Sequence, residues 1–186
     1  MPLQQANVED RVRADAGAHS FLFCHGYGCR YSDQVSFSGA EWAGIAAMMP
    51  RAPDAAAERG NLAKTIGHMR VMAAKKTGTE HDLPAAPMLR FVDPSQLDCV
   101  DETHNAFAYL RLLEGAGLLR FHKTAAPVAR GYTPMLTAGH HSASVAETAS
   151  GTVYAVDPTA RKLGDDAEIT AFPDWIDKDP MPTFVF

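Results

Sequence analysis

The hydrophobic rhythm of this sequence changes once, and that change limits the folds open to it. Up to Gly115, apolar residues recur mainly at helical spacing. Beyond Gly117 they fall into short runs of strand length, separated by turn residues. Helices first and strands afterwards argue for an α+β domain with an antiparallel sheet, because alternating β-α units would be needed to build a parallel one. At 186 residues the chain suits a single domain, read as residues 19–186, preceded by a polar, loose arm over residues 1–18.

The helical part is punctuated clearly. Ser38 and Glu41 form an S-x-x-E capping box, and Trp42, Ile45, Ala46 and Met49 follow at helical spacing until Pro50 and Pro53. A second helix is expected from Asp54 to Lys76, with Leu62, Ile66, Met69 and Ala73 as its stripe and Thr77-Gly78 as its end; Gly60 and Gly67 weaken its continuity. Residues 78–95 carry Pro84, Pro87 and Pro94 and read as an extended connection. A third helix runs from Cys99 to Glu114, capped by Asp98, with Asp101 and Glu102 suited to its first turn and Val100, Phe107, Leu110 and Leu113 facing inward. Strands are expected at Ser20–Phe23, Leu118–Phe121, Pro134–Glu147 and Thr152–Val156, the last two joined through Ser150-Gly151.

A net charge of -5 with scattered basic residues gives no reason to expect a nucleic-acid partner, and Lys75-Lys76 reads as a solvated helix end. No apolar run is long enough to span a membrane, and Met1 to Ala18 is unlike a signal peptide, so a cytoplasmic location is expected, or a periplasmic one if a leader has been removed. Three cysteines do not make a disulfide framework. Cys24-His25-Gly26-Tyr27-Gly28-Cys29 reads first as a glycine-rich turn. A small disulfide loop or a metal site remain alternatives, although structural zinc usually takes four ligands in paired sets. No metal and no cofactor is expected.

Cys99 is the residue with most chemical promise. At the start of a helix, unpaired N–H groups and the helix dipole favour a thiolate, and the residue's own N–H is placed to hold an oxyanion. A thiol nucleophile needs a base and the base needs an orienting group. His140-His141 opens one expected strand and Asp157 ends the next. An antiparallel hairpin brings these ends together, and its spacing favours His141 over His140 as the base beside Asp157. Gln96 is a candidate side-chain oxyanion donor, though a plain loop role is preferred. Asn105 is expected to face solvent or to bond within its helix.

Asp98-Cys99 at a helix start, a strand opening with histidine, and Tyr154-Ala155-Val156-Asp157-Pro158-Thr159 resemble the three core motifs of the transglutaminase-like (papain-related) superfamily, over about residues 95–160, in a bacterial branch. Ser142-Ala143 replaces the aromatic residue often found after the histidine. Gln96-Leu97-Asp98-Cys99-Val100 replaces the usual Gly-x-Cys-Trp context. The resemblance implies a Cys-headed helix packed on an antiparallel sheet. It implies acyl transfer from an amide or ester by a Cys99-His141-Asp157 triad, acting on a peptide, protein or small amide as protease, amidase or transamidase. Some members of the superfamily keep the fold only for binding.

Overall fold

The computed structural model describes residues 14–85, 92–131 and 139–178. Within them the chain is α+β, as its pattern requires. In order, the elements are β1 (Ala14–Asp15), β2 (Ser20–His25), β3 (Tyr31–Ser36), α1 (Gly39–Ala47), α2 (Ala55–Thr77), α3 (Cys99–Gly115), β4 (His122–Arg130), β5 (His140–Glu147), β6 (Val153–Asp157), β7 (Glu168–Ala171) and α4 (Phe172–Ile176). The strands form two antiparallel sheets, β1-β2-β3 and β4-β5-β6-β7.

Helix α3 is the centre of the molecule. It packs on β5 and β4 of the larger sheet and on β2 of the smaller one, so every residue from Asp101 to Leu110 is buried. A helix apolar on one stripe only could not serve two sheets. Phe107, Leu110, Leu112 and Leu113 meet Phe21, Phe23 and Phe37 from the small sheet and Val145 and Val156 from the large one. Each such side chain stabilises the fold by roughly 1.5–3 kcal/mol relative to an exposed one. Ile45 of α1 and Leu62, Ile66 and Met69 of α2 complete the core.

The helix caps follow the sequence. Ser38 and Glu41 make the expected box, Asp54 caps α2, and Gly78 ends it in the left-handed region at φ 72°. Helix α2 is continuous through both glycines. A Cβ on Gly67 would strike the carbonyl of Asp165, so this glycine lets the 165–167 segment lie against the helix, where Ala167 N–H donates to Ala63 O at 3.0 Å. The helix accepts a propensity cost of about 1 kcal/mol for that approach.

Several expectations fail for physical reasons. Residues 14–18 are not a loose arm: Ala14 and Asp15 pair with Phe21 and Ser20, and Asp15 Oδ1 accepts the Gly17 and Ala18 amides; residues 1–13 lie outside the described residues. Leu118–Phe121 is not a strand. Leu118 N–H returns to Leu113 O of α3, and the amides of Arg120, Phe121 and His122 all donate to the buried carboxylate of Glu58 in α2. The ladder therefore starts at His122. The first part of the expected strand Pro134–Glu147 and the middle of the 78–95 connection fall outside the described residues, and β5 begins at His140. Strand β3 is an edge strand of mostly exposed polar residues, so it carries no apolar rhythm to be read.

Candidate active site

Cys99 is the first residue of α3. Asp98 caps the helix, its Oδ1 accepting from Val100 N–H at 3.0 Å and Asp101 N–H at 2.9 Å, while Asp101 Oδ2 accepts from Asp98 N–H at 3.1 Å. This reciprocal arrangement fixes the entry of the chain into the helix and with it the Cys99 side chain. Cys99 is a free thiol, half-buried.

The 24–29 segment lies over this helix start. It is neither a bare turn nor a thiolate metal site, because Cys24 and Cys29 are joined in a disulfide. Gly26, Tyr27, Gly28 and Cys29 take successive φ values of 80°, 65°, 67° and 57°. The left-handed conformation costs Tyr27 and Cys29 on the order of 1 kcal/mol each. The curl turns its amides onto the first turn of α3: Tyr27 and Cys29 donate to Asp101 at 2.8 and 2.6 Å, and Gly28 donates to Asp98 at 3.0 Å. Concave runs of N–H groups of this kind are anion cradles, and here the anions belong to the protein. Burial, with the charge of Asp98 second, raises the pKa of Asp101 in spite of these bonds.

Asn105, expected in solvent or bonded within its helix, is fully buried and grips the disulfide strand instead. Its Oδ1 accepts from Cys24 N–H at 2.7 Å and its Nδ2 donates to Cys24 O at 2.8 Å. Gln96 is also spent on structure. Its Nε2 donates to His81 O at 2.9 Å and its Oε1 accepts from Leu83 N–H at 3.1 Å, so the amide ties down the 81–83 loop, in line with the preferred loop role. Asp82 holds the next link, accepting from Leu97 N–H at 2.8 Å. Burial and then the charge of Glu102 push its pKa up to about 7.

The histidine expectation is displaced by one residue. In the β5–β6 ladder Ala143 faces Val156 and Ser144 faces Ala155. Continuing that register sets Asp157 opposite Ser142, so it shares a face with the even-numbered residues of β5 and lies diagonal to His140. His141 belongs to the other face. Accordingly His140 Nε2 bonds to Asp157 Oδ2 at 2.6 Å, while His141 does not take that place. Cys99 also acts on His140, its side chain being among the groups that raise the imidazole pKa. With Nε2 given to Asp157, Nδ1 is the nitrogen left for sulfur. Burial opposes a charge on His140, but the hydrogen bonds and charges of Asp157 and Cys99 outweigh it and raise its pKa to about 9. His141 goes the other way, lowered by burial and then by the charge of His140.

Asp157 is buried and well held. Besides His140, its Oδ2 accepts from Trp175 Nε1 at 3.0 Å and its Oδ1 from Thr159 N–H at 3.2 Å. Burial pushes its pKa up, yet these donors, His140 first, keep it below the ordinary carboxylate value. Trp175 is 1% exposed, and its ring lies 5.6 Å from that of His140, so it walls the pair from water. Sequence reasoning passed over Trp175 and α4 altogether. The available signal was Pro173, a favoured residue at a helix start.

These shifts have a consequence for stability. Folding raises the pKa of Asp82 and Asp101 above 3.8 and of His140 above 6.5. A group so raised stabilises the fold below its unfolded pKa and loses that contribution as pH climbs through the folded one. The lowered Asp157 matters only on the acid side, where its contribution fades as it protonates, while the lowered His141 opposes the trend near neutral pH, adding stability as pH rises through its unfolded value. Three raised groups against one lowered one give a thermal midpoint expected to fall overall between about pH 5 and about pH 9 in calorimetric scans. A midpoint that rises over that interval would contradict these assignments.

Among the described residues no helix is long and apolar enough to cross a membrane. No family model matches this sequence, and no match to it is found among curated proteins or solved structures.

Proposed function

We propose that the chain is a cysteine-dependent acyl-transfer enzyme of transglutaminase-like, papain-related architecture, with Cys99 as nucleophile, His140 as base and Asp157 as the group that orients the base. The observation that carries this reading is the hydrogen bond that fixes His140 to the buried Asp157 carboxylate, with Cys99 among the groups that act on the same imidazole. A helix-start cysteine alone is more often a packing residue. A cysteine beside a histidine that a buried carboxylate fixes is the arrangement nucleophilic catalysis needs.

In the proposed reaction the Cys99–His140 pair holds its proton on the imidazole, as the raised pKa of His140 favours, and the sulfur bonds to the carbonyl carbon of an amide or ester. The oxyanion is held by the N–H of Cys99, which the Asp98 cap leaves aside in taking Val100 and Asp101. His140 returns the proton to the departing amine or alcohol as the carbon–heteroatom bond breaks, leaving a thioester. Water, its proton drawn off by His140, adds to that carbon and releases the acid and the free thiol. An amine in place of water would give transamidation by the same path. Asp157 stays ionised and stabilises the imidazolium in both halves. These steps draw on the protein's own residues throughout.

p-Nitrophenyl acetate tests this reading. The expected result is a burst of p-nitrophenolate, with acetyl found by mass spectrometry on Cys99 alone and no burst from Cys99→Ala. Acetylation spread over surface lysines, with no burst from the native protein, would remove the reading.

A further inference from the structure

The contact that holds Asp157 against His140 depends on an indole, and something must hold the indole. Trp175 lies on α4, a helix of five residues whose N-cap makes no side-chain hydrogen bond. A helix that short has little stability of its own. Arg130 supplies what α4 lacks. Its guanidinium lies over the Trp175 ring, 4.5 Å from the centroid, and its Nη1 donates to the Trp175 carbonyl oxygen at 2.6 Å. One side chain thus grips the residue by both its face and its backbone. Arg130 in turn is set by the sheet, as the cross-strand partner of His140 in the β4–β5 ladder.

We infer that Arg130 is a positioning residue for the Cys99–His140–Asp157 site, acting through Trp175 to keep the Asp157 carboxylate on His140 Nε2. This rests on the proposed function for its consequence in catalysis, while the geometric chain from Arg130 to Trp175 to Asp157 to His140 stands by itself. A planar cation is required. Lysine keeps the charge and can reach a carbonyl, but it cannot lie flat on an indole while donating sideways. The charged and titratable groups around His140 are Asp157, Cys99 and His141, and the charge of Asp157 also acts on Arg130.

The alternative is that Arg130 only ties down the end of α4. Two variants separate the roles. R130K keeps the charge and loses the flat stack. W175F keeps an aromatic face under Arg130 and loses the N–H to Asp157 together with part of the ring. The readouts are the low-field NMR resonance of the His140 Nε2 proton, which a fixed partner protects from exchange, the acylation rate of Cys99 by p-nitrophenyl acetate, and the melting temperature. In both variants the resonance is expected to broaden into solvent exchange and the acylation rate to fall about tenfold or more, since small misplacements of catalytic groups are costly. A lower melting temperature in R130K with the resonance sharp and the rate within about twofold of native would overturn the inference and leave a structural tie. If R130K does not fold, an unchanged resonance in W175F overturns it equally. Should the native protein show no acylation of Cys99, the functional proposal fails while the resonance still decides the role of Arg130.

Discussion

Replacing His140 with alanine is expected to slow acylation of Cys99 on the order of 100-fold or more, while replacing His141 changes it less than about threefold, the difference between losing and keeping a positioned base. The two residues are neighbours of the same type, so composition, local charge and strand propensity treat them alike. Only the ladder tells them apart. Asp157 shares its face of the sheet with even-numbered residues of β5, and its carboxylate reaches His140 at 2.6 Å. Stopped-flow release of p-nitrophenolate from the two variants makes the comparison. Equal losses would mean that neither imidazole acts alone, and a loss confined to His141→Ala would reverse the assignment.

The largest expected effect on stability lies beside the site rather than in it. Arg70 of α2 and Glu102 of α3 form an ion pair at 2.5 Å with both side chains only 4% exposed. Burial disfavours the guanidinium charge, and the carboxylate of Glu102 more than compensates. Glu102→Ala would strand a buried cation, whose Nη1 already lacks a partner among the described residues. Breaking a buried pair on one side costs about 3–5 kcal/mol, whereas replacing both partners by apolar residues of similar volume is often close to neutral. Urea denaturation of Glu102→Ala and of the double variant Arg70→Met, Glu102→Met should show that order. A single variant within about 1 kcal/mol of native would mean that Arg70 finds another anion or water. Glu102 is three residues from Cys99 and sits in the capped first turns of α3, so such a loss would also loosen the helix start that carries the thiol.

What could be read from the sequence was the set of local signals. Asp98 before Cys99, with acidic residues after it, identifies a capped helix start, because a cap acts within one turn. Asp157 at a strand end was legible for a similar reason. The histidine paired with Asp157 was not, since hairpin spacing alone leaves the register open by one residue, and in a sheet one residue exchanges the faces. Asn105 was misread because a polar residue in a helix ordinarily seeks water. Here a second sheet crosses the helix, and the amide bonds both the N–H and the carbonyl of Cys24, whose strand partner is Ser32 of β3. The disulfide was one reading among several for Cys24 and Cys29, since spacing alone does not determine pairing. Trp175 was invisible for a different reason: its importance comes from a contact with Asp157 across separate elements, which no local pattern encodes.

The central claim is that His140 is shared between Asp157 and Cys99, and an NMR titration of the His140 ring measures that sharing directly. The account predicts a midpoint near 9 in the native protein. It also predicts a clear fall once Cys99 is alkylated with iodoacetamide and no longer acts on the imidazole. A midpoint near the ordinary histidine value of about 6.5, unmoved by alkylation, would contradict it.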